Sequence, residues 1–233
     1  MMRAGVIGVG SMGKHHLRIL WQKDDLDVVG FADINPKVIQ TYTRHYRIPG
    51  YLDYHDLLKQ GLDVVSVAVP TSAHKQVVMD CLRAGVHTLV EKPIAATLED
   101  ALEMAGEAKK QGVTLMVGHI ERFNPLVERI KQFLVHKRLG DPISISTARV
   151  SPYPSRITDV GILMDFAIHD IDVISYLYGE KAISVFSVMG SSVGNHGDHA
   201  SILLRFPNDR AGVIETSWLG PTPVSYTHLR AHE

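Results

Sequence analysis

The chain has 233 residues, 45% of them hydrophobic and 21% charged, which is enough for two modest globular cores and too apolar for disorder or a fibre. Its 24 Lys and Arg against 25 Asp and Glu leave a formal net charge of -1, so electrostatics give no reason to expect nucleic acid or an anionic membrane as partner. The lone cysteine, Cys81, excludes an internal disulfide and leaves no paired Cys/His spacing for zinc, which points to a reducing, cytoplasmic compartment.

The short, glycine-interrupted apolar start reads as a strand rather than a signal peptide, and no apolar run reaches the roughly eighteen residues of a spanning helix. From residue 3, β-type runs at 3–9, 27–32, 63–69, 86–90 and 113–117 alternate with helical patterns at 11–22, 36–46, 54–59, 72–84 and 98–111. That alternation predicts βαβ units and a parallel sheet. The run 64–69, Val-Val-Ser-Val-Ala-Val, is apolar almost throughout, as a strand covered on both faces must be.

Between the first strand and first helix lies Gly8-Val9-Gly10-Ser11-Met12-Gly13, and Asp33 follows twenty residues after Gly13. A G-x-G-x-x-G run is weak alone; strand, helix and acid together make it a dinucleotide site. Gly8 permits the turn, Gly10 the approach of a pyrophosphate and Gly13 close packing of helix on strand. Ser11 and Met12 complete the turn, and the phosphates would meet the helix N-terminus. Asp33 would accept from the ribose hydroxyls and repel a 2′-phosphate, which favours NAD over NADP.

Ligands of such sheets bind beyond the carboxyl ends of the strands. Pro70, Thr71 and His74 follow the fourth strand there, and Glu91-Lys92-Pro93 follows the fifth. The proline fixes the turn, so Lys92 is either a cleft residue or a surface lysine.

Beyond Gly118 the pattern changes to a helix from about 124, strands at 143–150, 183–189, 200–205 and 212–217, and one long helix at 164–178. This predicts an α+β domain with an open, mostly antiparallel sheet. At 100° per residue, Asp165, His169, Asp172 and Tyr176 share one stripe of an otherwise apolar helix. Asp165 and His169, at i and i+4, are placed for the carboxylate to orient the imidazole. No third ligand spacing accompanies them to suggest a metal. Arg122 and Arg156 are plain surface arginines or, as the resemblance given below implies, candidates for a substrate diphosphate; Asn124 and Asp172 complete the candidate substrate set.

Three of these features, Gly8 to Gly13, Glu91-Lys92-Pro93 and Asp165-x-x-x-His169, together resemble the glucose-fructose oxidoreductase/inositol dehydrogenase family over residues 3 to about 222. The resemblance implies a dinucleotide-binding domain at 1–119 and a substrate domain from 120 that supports homo-oligomers. It further implies a catalytic set of Lys92, Asp165 and His169, in which either Lys92 or His169 is the base. The segments 118–125 and 151–160 are similar to the branch that oxidises the C3 hydroxyl of UDP-N-acetylglucosamine. A free sugar or inositol as substrate, or a binding regulator without turnover, are the alternatives.

The last ten residues, Val224-Ser-Tyr-Thr-His-Leu-Arg-Ala-His-Glu233, show neither strand alternation nor a helical stripe. They resemble the translation of a sequencing adapter. The expectation is therefore a second domain that ends at 223, incomplete, with a non-native tail outside the fold.

Overall fold

The computed structural model describes residues 1–154, 160–193 and 197–232. The chain divides into two compact units, Met1–Gly118 and His119–Glu233.

In the first unit β1 (Met2–Ile7), α1 (Gly13–Trp21), β2 (Leu26–Ala32), α2 (Pro36–Tyr46), β3 (Gly50–Tyr51) and α3 (Tyr54–Leu58) are followed by β4 (Val64–Val67), α4 (Thr71–Arg83), β5 (His87–Val90), α5 (Leu98–Gln111) and β6 (Leu115–Val117). The six strands are parallel, in the order β3-β2-β1-β4-β5-β6. The sequence order reverses between β1 and β4, which puts the ligand crevice beyond the carboxyl ends of those two strands.

Neighbouring residues of β1 show why the sheet is covered on both sides. Val6, fully buried, packs with Leu17, Phe31 and Tyr46, whereas Ile7, 3% exposed, packs with Val65, Val67, Leu82 and Met104. Successive side chains leave a strand on opposite faces, and each such aliphatic removed from water contributes about 1.5–3 kcal/mol. Local chemistry sets the helix ends: Asn35 accepts from Lys37 N–H at 3.0 Å, Thr97 from Asp100 N–H at 3.2 Å, and Gly112 closes α5 at φ +68°. The two-residue β3 has no period to read and was not among the expected strands.

In the second unit a short 3₁₀ turn, Ile120–Phe123, leads into α6 (Pro125–Val135) and β7 (Asp141–Val150). A π-wound turn at Leu163–Ala167 then runs into α7 (Ile168–Tyr178), followed by β8 (Ser184–Gly190), β9 (His199–Arg205), β10 (Ala211–Ser217) and β11 (Val224–His232). The sheet order is β11-β7-β10-β9-β8. Only β7 and β10 pair in parallel; the other three pairings are antiparallel. One face carries Ile145, Ile202, Leu204 and Ile214 against Ile174 and Leu177 of α7. On the other face Phe186 lies opposite Leu203 in the register, and both are exposed.

Two expectations change. The predicted single helix 164–178 opens with a π turn, Leu163–Ala167, whose bonds span one residue more than those of an α-helix. The last residues, expected outside the fold, form a strand along β7. Strand pairing is made by backbone groups, so an open edge accepts an extended segment without any alternation of its side chains.

Candidate active site

The glycine turn is where packing and ligand demands separate. Gly8 stands at φ +84°, and a Cβ there would lie 2.7 Å from the Ala68 carbonyl oxygen; any side chain is excluded. A Cβ on Gly13 would lie 1.8 Å from the Gly8 oxygen. Around Gly10 a Cβ would meet nothing within 4 Å. The fold therefore requires glycine at 8 and 13, whereas at 10 it leaves open space beside the backbone.

A cavity of about 480 Å³ opens at this point, lined among others by Gly8, Gly10, Asp33, Ile34, Val69 and Pro70. Asp33 is set by two backbone amides: Val9 N–H donates to Oδ2 and Asn35 N–H to Oδ1, both at 2.8 Å. Each oxygen keeps a second lone pair, enough for a diol. Ser11 and Met12 are exposed on the turn, and Thr71 begins α4. Open backbone at the helix start, an acid at the end of β2 and a cavity between them fit a dinucleotide.

His74 and Glu91, expected at the cofactor, are both engaged within the unit. His74 is 1% exposed, and its ring nitrogens lie 2.9 Å from the Pro93 carbonyl and 3.0 Å from the Val69 carbonyl. Wholly enclosed, it braces the lysine turn. Glu91 bonds to His16 Nε2 at 2.9 Å and accepts from Lys92 N–H at 3.2 Å. Burial alone would raise its carboxyl; the hydrogen bond and charge of His16, with the amide and charge of Lys92, outweigh this and hold it below the usual range. Lys92 itself is half-buried at the end of β5.

In the second unit Asp165 is buried in the π turn, and His169 is half-buried at the start of α7. Beside them Arg149 of β7 reaches Asp170 at 3.2 and 3.3 Å and Glu121 at 3.2 Å. Burial would raise the Glu121 carboxyl, but Asn124, Arg149 and the charge of His169 hold it low. Asp170, more deeply enclosed, is pushed up by burial in spite of Arg149.

The candidate substrate residues are engaged within the unit. Arg122 forms a fork onto Asp172, Nε to Oδ2 at 2.8 Å and Nη2 to Oδ1 at 2.5 Å, and lies over the Tyr176 ring. Asn124 caps α6 by accepting from Leu126 N–H at 3.0 Å and donates to Glu121 at 3.1 Å, so its side chain is a cap first. Arg156 lies outside the described residues. Among the described residues no group of three or more His, Cys, Asp or Glu is arranged to hold a metal ion, and no helix is long and apolar enough to cross a membrane.

Sequence reasoning missed His16, Ser66, Arg149 and Asp170. Phase would have found Arg149: it occupies the core-facing register of β7 with Ile145 and Thr147, where a charge needs a buried partner. No pattern in the sequence announces His16.

Residues 2–119 match the model of an oxidoreductase family with an NAD-binding Rossmann fold, and residues 127–230 match the GFO/IDH/MocA C-terminal domain. The chain is 31% identical over 216 residues to UDP-N-acetylglucosamine 3-dehydrogenase of Acidithiobacillus ferrooxidans, covering 93% of this chain and 67% of the relative. It is 30% identical over 228 residues to myo-inositol 2-dehydrogenase of Thermotoga maritima, covering 93% and 68%. A solved structure of the Acidithiobacillus enzyme superposes with a TM-score of 0.89 at 29% identity, covering 99% of this chain and 74% of that one. The chain thus spans about two thirds of the length of the curated relatives it matches.

Proposed function

The chain belongs to the Gfo/Idh/MocA family of NAD-binding oxidoreductases, and on that premise we propose that it oxidises the C3 hydroxyl of a nucleotide-linked sugar, UDP-N-acetylglucosamine. The observation that carries the dinucleotide half of this reading is the cavity beyond β1 and β4, where Gly8 and Gly10 leave the backbone open and Asp33 is held by two amides. The Acidithiobacillus relative supports the sugar half.

Gly8, Gly10 and the start of α1 would hold the pyrophosphate, and Asp33 the adenosine ribose. When bound, NAD supplies the hydride acceptor. His169 takes the hydroxyl proton, since an imidazole titrates near neutrality. Asp165 orients it, and Lys92 donates a hydrogen bond to the alcohol oxygen as negative charge develops there; the roles of Lys92 and His169 are exchangeable. Arg122, already matched by Asp172, offers the diphosphate its exposed edge. The exposed sheet face around Phe186 and Leu203 fits a second copy of the chain.

A second reading, oxidation of a free cyclic polyol, is favoured by the comparable identity to the inositol enzyme and by the pairing of Arg122 with Asp172. Incubation with NAD and either UDP-N-acetylglucosamine, UDP-glucose or myo-inositol, followed by absorbance of the reduced cofactor, separates them. Reduction with UDP-N-acetylglucosamine supports the first reading. Reduction with inositol alone replaces it by the second, and reduction with none points to a regulator.

A further inference from the structure

We propose that His16 is a positioning residue that ties the helix of the glycine turn to the backbone of Lys92. This rests on the reading that Lys92 acts on the substrate alcohol.

His16 lies in the first turn of α1. Its Nδ1 is 2.6 Å from Ser66 Oγ on β4, and its Nε2 is 2.9 Å from Glu91 Oε1 just past β5. The other Glu91 oxygen accepts from the Lys92 amide at 3.2 Å. Three elements of one unit are therefore joined through a single ring. The side chains of His16 and Glu91 are 16% and 14% exposed and Ser66 is 4% exposed, so water competes poorly for these bonds.

The donor inventory gives the chain a direction. A carboxylate only accepts, so Nε2 carries the proton that faces Glu91. A charged ring donates from Nδ1 to the Ser66 hydroxyl and a neutral one accepts from it, so the bond stands in both forms. Serine, histidine and acid in a row also describe a hydrolytic triad. Here Ser66 is enclosed within a central strand and no substrate can reach its oxygen, so the row ends in the Lys92 amide.

Glu91 has little freedom to drift. Its carboxyl lies 3.4 Å from where a Cβ of Gly118 would stand, so that glycine forms the back of its slot. On the far side of the turn His74 holds the Pro93 carbonyl at 2.9 Å. Lys92 is gripped before and after by two histidines, of which only His16 belongs to the helix whose N-terminus would receive the cofactor phosphates. Binding there and the placement of the lysine are thereby coupled.

Four variants test this: His16→Ala, His16→Gln, whose amide nitrogen reaches as far as Nε2, His16→Asn, which reaches only as far as Nδ1, and Lys92→Ala. The first readout needs no turnover: the acylation rate of the Lys92 amine, followed by mass spectrometry with and without NAD, against Lys59 as an exposed reference. The second is kcat against the KM for NAD. The parent's Lys92 rate changes with NAD, whereas His16→Ala and His16→Asn lose that response and lower kcat about 10- to 100-fold, as loss of an orienting partner does. KM for NAD moves less than about threefold, and His16→Gln restores most of both. Should His16→Ala fail to fold, the contrast between Gln and Asn decides. The proposal is overturned if Gln recovers no more than Asn, if the NAD response and kcat survive in His16→Ala and His16→Asn, or if the parent shows no NAD response. Full turnover in Lys92→Ala would instead remove the reading of Lys92, while the acylation result still judges His16.

Discussion

Gly13 packs so closely on Gly8 that a methyl group on the first would sit 1.8 Å from the carbonyl oxygen of the second. Gly13→Ala must move α1 off the sheet and is expected to cost about 1–3 kcal/mol or more of stability as overpacking. Gly10→Ala, with open space around its Cβ, should melt within about 0.5 kcal/mol of the parent yet weaken NAD binding at least about tenfold. Thermal denaturation beside calorimetric titration with NAD checks both; equal NAD affinity in Gly10→Ala would deny the turn its ligand.

Asp33 is held by the amides of Val9 and Asn35 at 2.8 Å, so its charge stands at a fixed place beside the cavity. Asp33→Asn keeps an acceptor and removes the charge. The ratio of NAD to NADP affinity is expected to fall about tenfold, or 1.4 kcal/mol, through relief of repulsion on the 2′-phosphate and a weaker bond to the ribose. Paired titrations with the two dinucleotides measure it, and an unchanged ratio would clear Asp33 of selectivity.

The second unit carries an acid-sensitive clasp. Asp198 has no exposed surface and accepts from Ser192 and Val193 amides at 2.6 and 2.7 Å and from His199 at 2.8 Å. Burial would raise its carboxyl, but His199 and the two amides overcome this and lower it to about 2. A folded value below the unfolded one, about 3.9, contributes stability above roughly pH 4 that is lost as pH falls toward 2. Urea midpoints of the parent and of Asp198→Asn should converge across that window. A gap that stays constant down to pH 2 would contradict the assignment.

Arg149 joins β7 to α7 through Asp170, whose side chain is 5% exposed. Arg149→Met strands a buried acid and is expected to cost about 3–5 kcal/mol, while Arg149→Met with Asp170→Leu should recover most of it. A double-mutant cycle by urea unfolding reads the coupling; additive losses would show the pair to be independent.

The elements that carry a period are legible in the sequence itself. Helices 36–46 and 98–111 end where the sequence patterns end, because caps at Asn35, Thr97 and Gly112 are local chemistry. The strands around Gly8 and Asp33 were equally plain, since turn, acid and apolar runs agree. What escaped depends on tertiary geometry. The π turn before α7 adds a residue that no 100° wheel shows, and β11 pairs through backbone rather than pattern. His74 and Glu91 follow strand ends as ligand residues do, but only packing reveals that they face inward. The Ser66-His16-Glu91 row bonds residues 50 and 75 positions apart, which only folding brings together.

The most direct test is the rate of NAD reduction with saturating NAD and UDP-N-acetylglucosamine in Lys92→Met and His169→Ala beside the parent. General acid–base and charge-stabilising groups of this kind are worth about 10²–10⁴ in rate, so kcat is predicted to fall by that factor in each variant. The dissociation constant for NAD should stay within about threefold. Parental turnover in either variant would take that residue out of the reaction and contradict the account.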